Sequence, residues 1–291
     1  MKKGIIEFIL LIIGSLFISS NLRGQVIQGK LIDSSDGRPL AYVNIGVVNI
    51  SRGTITNEKG GFELICSDLS QDAEIRFSMI GYESQTYMLK DLLFDSIIIR
   101  LDRKAIELEE LVFEWHGTTR TIGTSKISKT GGVCGWGGTS FGQGHELGLL
   151  LDVGSNTARI ESLNLKVHKQ SFDTIVFRLH IRSLANGLPT EELLTENIYF
   201  SVNEYSGWQK IDLSAYNIYI RGNVALSLEW IRISNVIEKK LVKMNGAKTG
   251  TPVVLFNINK KSGTIFSRRG SEALWRKEES KSPGFYINVK E

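Results

Sequence analysis

From residue 26 onward the spacing of apolar residues has a period of two. Ala41, Val43, Ile45 and Val47 alternate with other residues, and Phe62, Leu64 and Cys66 do the same. Ile75, Phe77 and Met79 interleave with Glu74, Arg76 and Ser78, and Ile97, Ile99 and Leu101 close a first set. Successive side chains on a strand point to opposite faces, so this alternation predicts strands that bury one face. Turn residues separate them: Asp36–Gly37 with Pro39, the run Asn57 to Gly61, and Gly81. A second set follows in Leu147, Leu149 and Leu151, then Leu163, Leu165 and Val167, then Ile198, Phe200 and Val202. Its clearest member is Ile175, Phe177, Leu179 and Ile181, interleaved with Val176, Arg178, His180 and Arg182. Segments 208–213, 224–230, 253–258, 264–268 and 285–289 complete about nine strands in the second block. No comparable stretch has a helical period, and Pro189 to Leu194 reads as one helical turn at most.

Many short strands between turn signals predict an all-β chain of two β-sandwich domains, the second the larger. The predicted boundaries are 25–102 for the first sandwich and 136–291 for the second. Residues 103–135 hold Gly117, Gly123, Gly131, Gly132 and Gly135 among many Ser and Thr, which reads as a linker and Gly-rich loop. Residues 1–24 read as a signal peptide: Lys2 and Lys3, an apolar run to Ile18, polar Ser19 to Asn21, and a cut near Gly24–Gln25. The clean run Phe8 to Ile18 is shorter than the roughly 20 apolar residues of a membrane span. The expectation is therefore an exported protein of the periplasm or outer-membrane surface, with no transmembrane span in the mature chain.

The chain of 291 residues carries 35 basic and 31 acidic side chains. Removing Lys2, Lys3, Arg23 and Glu7 with the leader leaves 32 against 30. No basic stripe appears, so a nucleic-acid partner is not expected. Two cysteines, Cys66 and Cys134, fall in different predicted regions. They are either two packed thiols or a bridge between the domains.

Certain residues in the first block stand at telling positions. They are Gly29-Lys30-Leu31-Ile32-Asp33, Gly37-Arg38-Pro39-Leu40, Val43-Asn44-Ile45, Gly53-Thr54-Ile55-Thr56-Asn57, Gly60-Gly61-Phe62 and Ile80-Gly81-Tyr82. In this order and spacing the block resembles the carboxypeptidase-regulatory-like domain. That module is a small prealbumin-like β-sandwich, common in cell-envelope proteins of Bacteroidetes-type bacteria. The resemblance implies a structural or binding unit without catalytic residues. Leu108 to Val112 looks like the link that joins this module to outer-membrane import barrels, but about 180 further residues are too few for a plug and barrel. The second block is similar to an uncharacterised β-domain that follows the module in related envelope proteins, and its order of segments also resembles jelly-roll carbohydrate-binding domains, which implies a jelly-roll-like sandwich.

Candidate chemistry is sparse. Gly138-Thr139-Ser140-Phe141-Gly142 fits the pattern of a hydrolase nucleophile elbow, yet the elbow needs a strand before the serine and a helix after it. A Gly-rich loop before Ser140 and a strand after it favour a plain loop. The histidines His116, His145, His168 and His180 lack metal-ligand spacing. His145 and Glu146 would point to opposite faces of a strand. His168 and His180, on consecutive predicted strands, are read as surface residues, as are Arg178, Arg182, Arg268 and Arg269. No cofactor, metal or catalytic residue is assigned. Of the tryptophans, Trp230 falls on an apolar face and is read as core, and Trp208 as core or rim. Trp136 and Trp275, in polar or Gly-rich surroundings, are read as an exposed ligand-binding pair, with Tyr199 and Tyr219 adding to the patch. The functional expectation is a non-catalytic envelope protein that binds a glycan or another envelope protein. The alternative is an exported hydrolase acting on glycans or peptides, with paired carboxylates in a concave cleft of the second domain.

Overall fold

A computed structural model of the chain describes residues 25–94, 96–105, 117–127, 131–137, 143–243 and 250–291. The predicted signal peptide, Ser140, Trp115, His116 and the segment Leu108 to Val112 lie outside the described residues. The protein is all-β. Its described helical pieces are single short turns at Leu89–Leu92, Ser214–Tyr216 and Glu238–Lys240. Among the described residues no helix is long and apolar enough to cross a membrane.

The first sandwich holds β1 (Val26–Asp33), β2 (Asn44–Val47), β3 (Gly53–Ile55), β4 (Gly61–Ile65), β5 (Glu74–Ser78), β6 (Gln85–Met88) and β7 (Ile97–Leu101). One sheet runs β4-β1-β7 and the other β3-β2-β5-β6. The alternating apolar residues Ile45, Val47, Phe62, Leu64, Cys66, Ile75, Phe77, Ile97, Ile99 and Leu101 fill the space between them. Full burial of one such large apolar side chain contributes about 1.5–3 kcal/mol. Two of the family-like motifs have a visible local purpose. Asn57 Oδ1 accepts the backbone N–H of Lys59 and of Gly61, and Gly60 takes a φ of 76° that a side chain would strain. Asp33, almost fully buried, accepts hydrogen bonds from Ser35, Tyr82 and Arg103, which hold its carboxyl far below the usual carboxylate range against the opposing effect of burial.

The second sandwich starts earlier than its sequence pattern suggests. β8 (Thr119–Gly123) and β9 (Val133–Gly137) lie inside the stretch read as linker. Their glycines are compatible with edge positions: Gly135, at φ 148°, sits so close to the neighbouring strand that an added Cβ would meet Val254 O at 2.1 Å. There follow β10 (His145–Asp152), β11 (Ala158–Gln170), β12 (Ile175–Ala185), β13 (Leu188–Glu192), β14 (Ile198–Val202), β15 (Gly207–Asp212), β16 (Tyr219–Ile220) and β17 (Asn223–Ile233). The chain ends with β18 (Val253–Asn259), β19 (Thr264–Arg269), β20 (Arg276–Glu279), β21 (Ser282–Pro283) and β22 (Phe285–Lys290). The predicted helical turn at Pro189 is strand β13; a proline is tolerated there because β13 is an edge strand.

Seven strands form one sheet in the order β13-β12-β17-β10-β19-β20, with β14 also on β12. Eight form the other, β21-β18-β11-β22-β8, with β15 and β16 on β11 and β9 on β18. The long strands pair in a nested way, β8 with β22, β10 with β19, β11 with β18 and β12 with β17. Leu147, Leu149, Leu163, Leu165, Phe177, Leu179, Leu226, Leu228, Trp230, Phe256 and Phe285 form the core, with Trp230 buried as expected. Consecutive strands β11 and β12 belong to different sheets, so His168 and His180 are not hairpin neighbours. Cys66 and Cys134 are both free thiols, and burial pushes Cys134 up to about 12.

The two sandwiches meet through the outer face of the β3-β2-β5-β6 sheet and the outer face of the seven-stranded sheet. All four residues of β2 are buried: Ile45 and Val47 in their own core, Asn44 and Gly46 toward the second sandwich.

Candidate functional site

The seven-stranded sheet carries a row of charge across its outer face. Register aligns Tyr199 with Arg178, Arg178 with Glu229, Glu229 with Glu146, and Glu146 with Arg268, one residue from each of β14, β12, β17, β10 and β19. His180 and Arg182, two and four positions along β12 from Arg178, share that face. This corrects the reading of Arg178, Arg182 and His180 as solvated: they are 0%, 6% and 3% exposed. The polar face of β12 is polar as predicted, but the first sandwich covers it. Arg268 is also largely covered, and Arg269 is exposed as expected.

Each charge is matched. Arg178 donates from Nε to Glu229 Oε2 at 2.8 Å and from Nη1 to Asn197 Oδ1 and the backbone oxygen of Tyr42, both at 3.0 Å. His180 bridges two carboxylates, with Nδ1 2.5 Å from Glu192 Oε2 and Nε2 2.7 Å from Glu229 Oε2. Arg182 donates to both oxygens of Glu146, at 2.6 and 3.2 Å, and Ser227 Oγ donates to the same carboxylate at 2.8 Å. Arg268 approaches Glu146 from the other side, its Nε 2.9 Å from Oε1.

Burial disfavours the ionised form of Glu146, but the charges of Arg182 and Arg268 outweigh it and hold the carboxyl well below its ordinary range. For Glu229 burial is likewise outweighed, by Arg178 and His180. Glu192 is lowered for the same kind of reason, with His180 and Arg182 as partners. Burial and Arg182 both oppose the imidazolium of His180, yet Glu146 and Glu192 raise it above the usual histidine value. Glu272 goes the other way, pushed up by burial despite Arg268 and Arg76.

Glu146, His180 and Glu229 offer ligand atoms within 4.8 Å of one another, as a divalent cation would require. The same oxygens already face three guanidinium groups, so the positive charge a metal would supply is supplied by arginine. The same pairing bears on the hydrolase alternative. Paired, recessed carboxylates are present, but a general acid needs a carboxyl raised toward neutrality. Glu146 and Glu229 are shifted the opposite way, and the raised carboxyl of the cleft between the sandwiches is Glu272.

Contacts across the junction extend this row. Asn44 Nδ2 donates to Glu229 at 3.4 Å, Asn197 Nδ2 to the backbone oxygen of Ile80 at 2.9 Å, and Ser78 Oγ to Glu272 at 3.1 Å. Beside them a cleft of about 580 Å³ opens between the sandwiches, with His180, Arg182 and Arg268 in its wall.

The four aromatics predicted to form a ligand patch do not come together. Trp136 is a correction: it packs against Phe177, Trp230 and Phe256 with ring centroids 5.6–6.5 Å apart, capping the core from edge strand β9. Tyr199 is half-buried at the junction, 5.5 Å from the ring of Tyr42. Trp275 lies over the charge row, with the guanidinium of Arg268 at 4.5 Å and that of Arg182 at 5.6 Å. Tyr219 lies on β16 in the other sheet.

Trp208, read from sequence as core or rim, is instead exposed, as are Phe94, Tyr205 and Tyr216 among the described residues. It is 39% exposed on the outer face of the eight-stranded sheet. Its ring stands edge-on to Tyr286 at 5.0 Å, with the ammonium of Lys166 at 5.6 Å. Trp208 pairs with Lys166, and Tyr286 with Asn164, so the two rings flank β11. Thr121 Oγ1 donates to Asn288 Oδ1 and Asn288 Nδ2 to Ser162 Oγ alongside them. The signal was present in the sequence: Trp208 and Lys210 alternate with Gln209 and Ile211, and Ile211 is the residue that faces the core.

Solved structures similar to this chain include the cysteine protease and lectin-like domains of Cwp84, a surface layer associated protein of Clostridium difficile. That likeness has 10% identity and a TM-score of 0.37, and covers 92% of this chain and 58% of that one. Infectious bursal disease virus, Gx strain, gives 8% identity, a TM-score of 0.25, and coverage of 91% of this chain and 63% of the other. The chain thus spans less than two thirds of the length of these proteins. No curated protein matches it. Residues 27–113 match the family of the CarboxypepD_reg-like domain, a span that contains nearly all of the first sandwich.

Proposed function

We propose that this chain is an exported, non-catalytic binding protein of a bacterial cell envelope, and that its second sandwich holds glycans on the outer face of the eight-stranded sheet. The observation that carries the reading is the Trp208–Tyr286 pair across β11, Trp208 exposed and Tyr286 half-buried, bordered by Lys166, Asn288 and Thr121. Sugar rings present apolar C–H faces that stack on aromatic rings and hydroxyls that need amide and hydroxyl partners; a flat strand surface offers both together. The signal-like leader supports export. The nested strand pairing supports a jelly-roll-like second domain, an architecture that lectins use, although β10 and β17 adjoin in the middle of its sheet. The first sandwich then acts as a rigid base, joined to the second by the charge row. The arginine-paired state of Glu146 and Glu229 favours this reading over a hydrolase.

A glycan array probed with the mature protein tests the proposal. Binding to a defined set of glycans that disappears in Trp208→Ala is the expected result. An empty array, or binding indifferent to Trp208, would remove the sheet face as the site, and a protein partner in the envelope would take its place.

A further inference from the structure

The second sandwich is open along one side. There β9 is an edge strand of one sheet and β20 an edge strand of the other, and a cavity of about 790 Å³ lies between them. Register places its lining. Leu147 pairs with Ser267 and His145 with Arg269, while Ile265 and Ser267 pair on their other side with Glu278 and Arg276. Side chains directly opposite on paired strands share a face, and Leu147 and Ile265 belong to the core. The inward face of β19 therefore starts apolar at Ile265 and turns polar through Ser267 to Arg269 at the rim. From the facing sheet, Cys134 and Trp136 complete an apolar floor. This floor is open to a ligand: both residues are only half-buried, and Leu147 and Ile265 keep 4% and 5% of their surface free.

The charged lining consists of Arg268, Arg269, Arg276, Lys281 and Glu278. Arg268 is held by Glu146, and Lys281 pairs with Glu278 at 2.8 Å. Arg269 and Arg276 are exposed and have no ion-pair partner among the described residues. His145 adds no negative charge in either protonation state. The two free guanidinium groups are diagonal neighbours on one strand pair, within the joint reach of long side chains. Like charges so placed repel, and an anion between them removes that cost. A guanidinium also presents paired N–H donors that match a carboxylate. Inward charges can guard a sheet edge against stray pairing, but guarding needs no hollow with an apolar floor behind them.

We propose that this cavity binds a fatty carboxylate, with its tail over Cys134, Trp136, Leu147 and Ile265 and its carboxylate between Arg269 and Arg276. The volume lies within the usual range of small-molecule sites. The tail supplies affinity in proportion to the apolar area it buries, and the arginine pair fixes which end stays at the rim. The site lies between the sheets, apart from the outer face that carries Trp208, and stands or falls independently of it.

Decanoate, butyrate and decanol separate tail from head, and inorganic sulfate reports the arginines alone. In titration calorimetry on the mature chain, decanoate is expected to bind at least tenfold tighter than butyrate or sulfate and several-fold tighter than decanol. Arg276→Gln, at an exposed position of edge strand β20, should weaken decanoate several-fold and leave decanol unchanged. Ser267→Phe, which fills the mouth, should weaken both, with a thermal melt to confirm that the variant folds. Decanoate should also slow modification of the half-buried Cys134 by a neutral thiol reagent, while Trp208→Ala should change none of these results. Equal affinity for decanoate and any of the three controls, no heat with decanoate, or decanoate affinity unmoved by both Arg276→Gln and Ser267→Phe would overturn the proposal.

Discussion

The two sheets of the second sandwich present outer faces written in the same pattern and put to opposite uses. β12 alternates core residues with Arg178, His180 and Arg182, and β11 alternates core residues with Asn164, Lys166 and His168. On β12 the polar row is roofed by the first sandwich, and every charge has a partner at hydrogen-bond distance. On β11 Asn164 is buried, but His168 is exposed and Lys166, with Trp208 and Tyr286 beside it, keeps part of its surface free. Alternation specifies which face is polar. It does not specify what lies on that face. The covered face carries acids and bases in matched order across five strands, since burying a charge without a partner costs several kcal/mol. The open face needs no such matching.

The sharpest way to break this comparison is to remove one carboxylate from the covered face. Glu229→Ala leaves Arg178 and His180 buried with their main anion gone. The expected loss is about 3–5 kcal/mol in urea unfolding. The double replacement Arg178→Met with Glu229→Leu, which removes both charges at similar volume, should recover most of it. A loss below about 1 kcal/mol in Glu229→Ala would mean that the row is open to water.

A smaller effect tests the fit of the roof. Gly46 faces the second sandwich, and a Cβ there would meet Glu272 Cγ at 2.6 Å. Gly46→Val should cost about 1–3 kcal/mol by wedging the sandwiches apart. Small-angle scattering should show a longer particle. An unchanged scattering profile together with unchanged stability would show that the junction yields freely at this point.

Much of the fold was legible because a period of two is a direct imprint of a half-buried strand. The first sandwich was clearest, since its turns carry the residues their geometry needs, such as Asn57 and Gly60. β8, β9 and β13 were missed, as glycines masked two edge strands and Pro189 the third, and β1, β3, β6, β16, β20 and β21 were not read as strands either. The charge row was missed for a more general reason. Arg178, His180 and Arg182 are three basic residues on one strand face, the pattern of a solvated surface. Their partners Glu146, Glu192 and Glu229 lie up to 36, at least 10 and about 50 positions away, where only sheet order brings them into register. A second signal was available in β2, whose segment Asn44 to Val47 has small or amide residues rather than charges on its polar side. That is what a second covered face looks like. The aromatic patch was misjudged because Gly-rich surroundings suggested exposure for Trp136, whereas its edge strand lays it over the core.

The covered face also predicts a pH profile that the open face lacks. Glu146, Glu192 and Glu229 are depressed in the fold, so their contribution is present above the ordinary glutamate value of 4.5 and is lost as pH falls through their lower folded values. His180 is raised, so its contribution is complete below 6.5 and is lost as pH rises through its higher folded value. His145, lowered to about 4 by burial and Arg269, acts in the opposite sense, and its contribution fades as pH falls from 6.5 toward 4. Thermal unfolding followed from pH 3 to 9 should therefore show Tm falling steeply on the acid side and gently on the alkaline side. His180→Gln should flatten the alkaline slope alone. An alkaline slope that survives this replacement would assign it to another group.

The smallest effect on stability belongs to the open face, and there it is the most informative. Trp208 stands 39% exposed, with its edge against Tyr286 and Lys166 over its ring. No buried partner loses a hydrogen bond when it is truncated, and the residues that fill the core on its strand, such as Ile211, stay in place. Trp208→Ala should change unfolding free energy by no more than about 0.5–1 kcal/mol, the range of an exposed site with one aromatic contact. Loss of glycan binding without loss of stability would separate the two faces by function as cleanly as Glu229→Ala separates them by stability. A large destabilisation would place Trp208 among the structural residues and leave the eight-stranded sheet without an argued ligand.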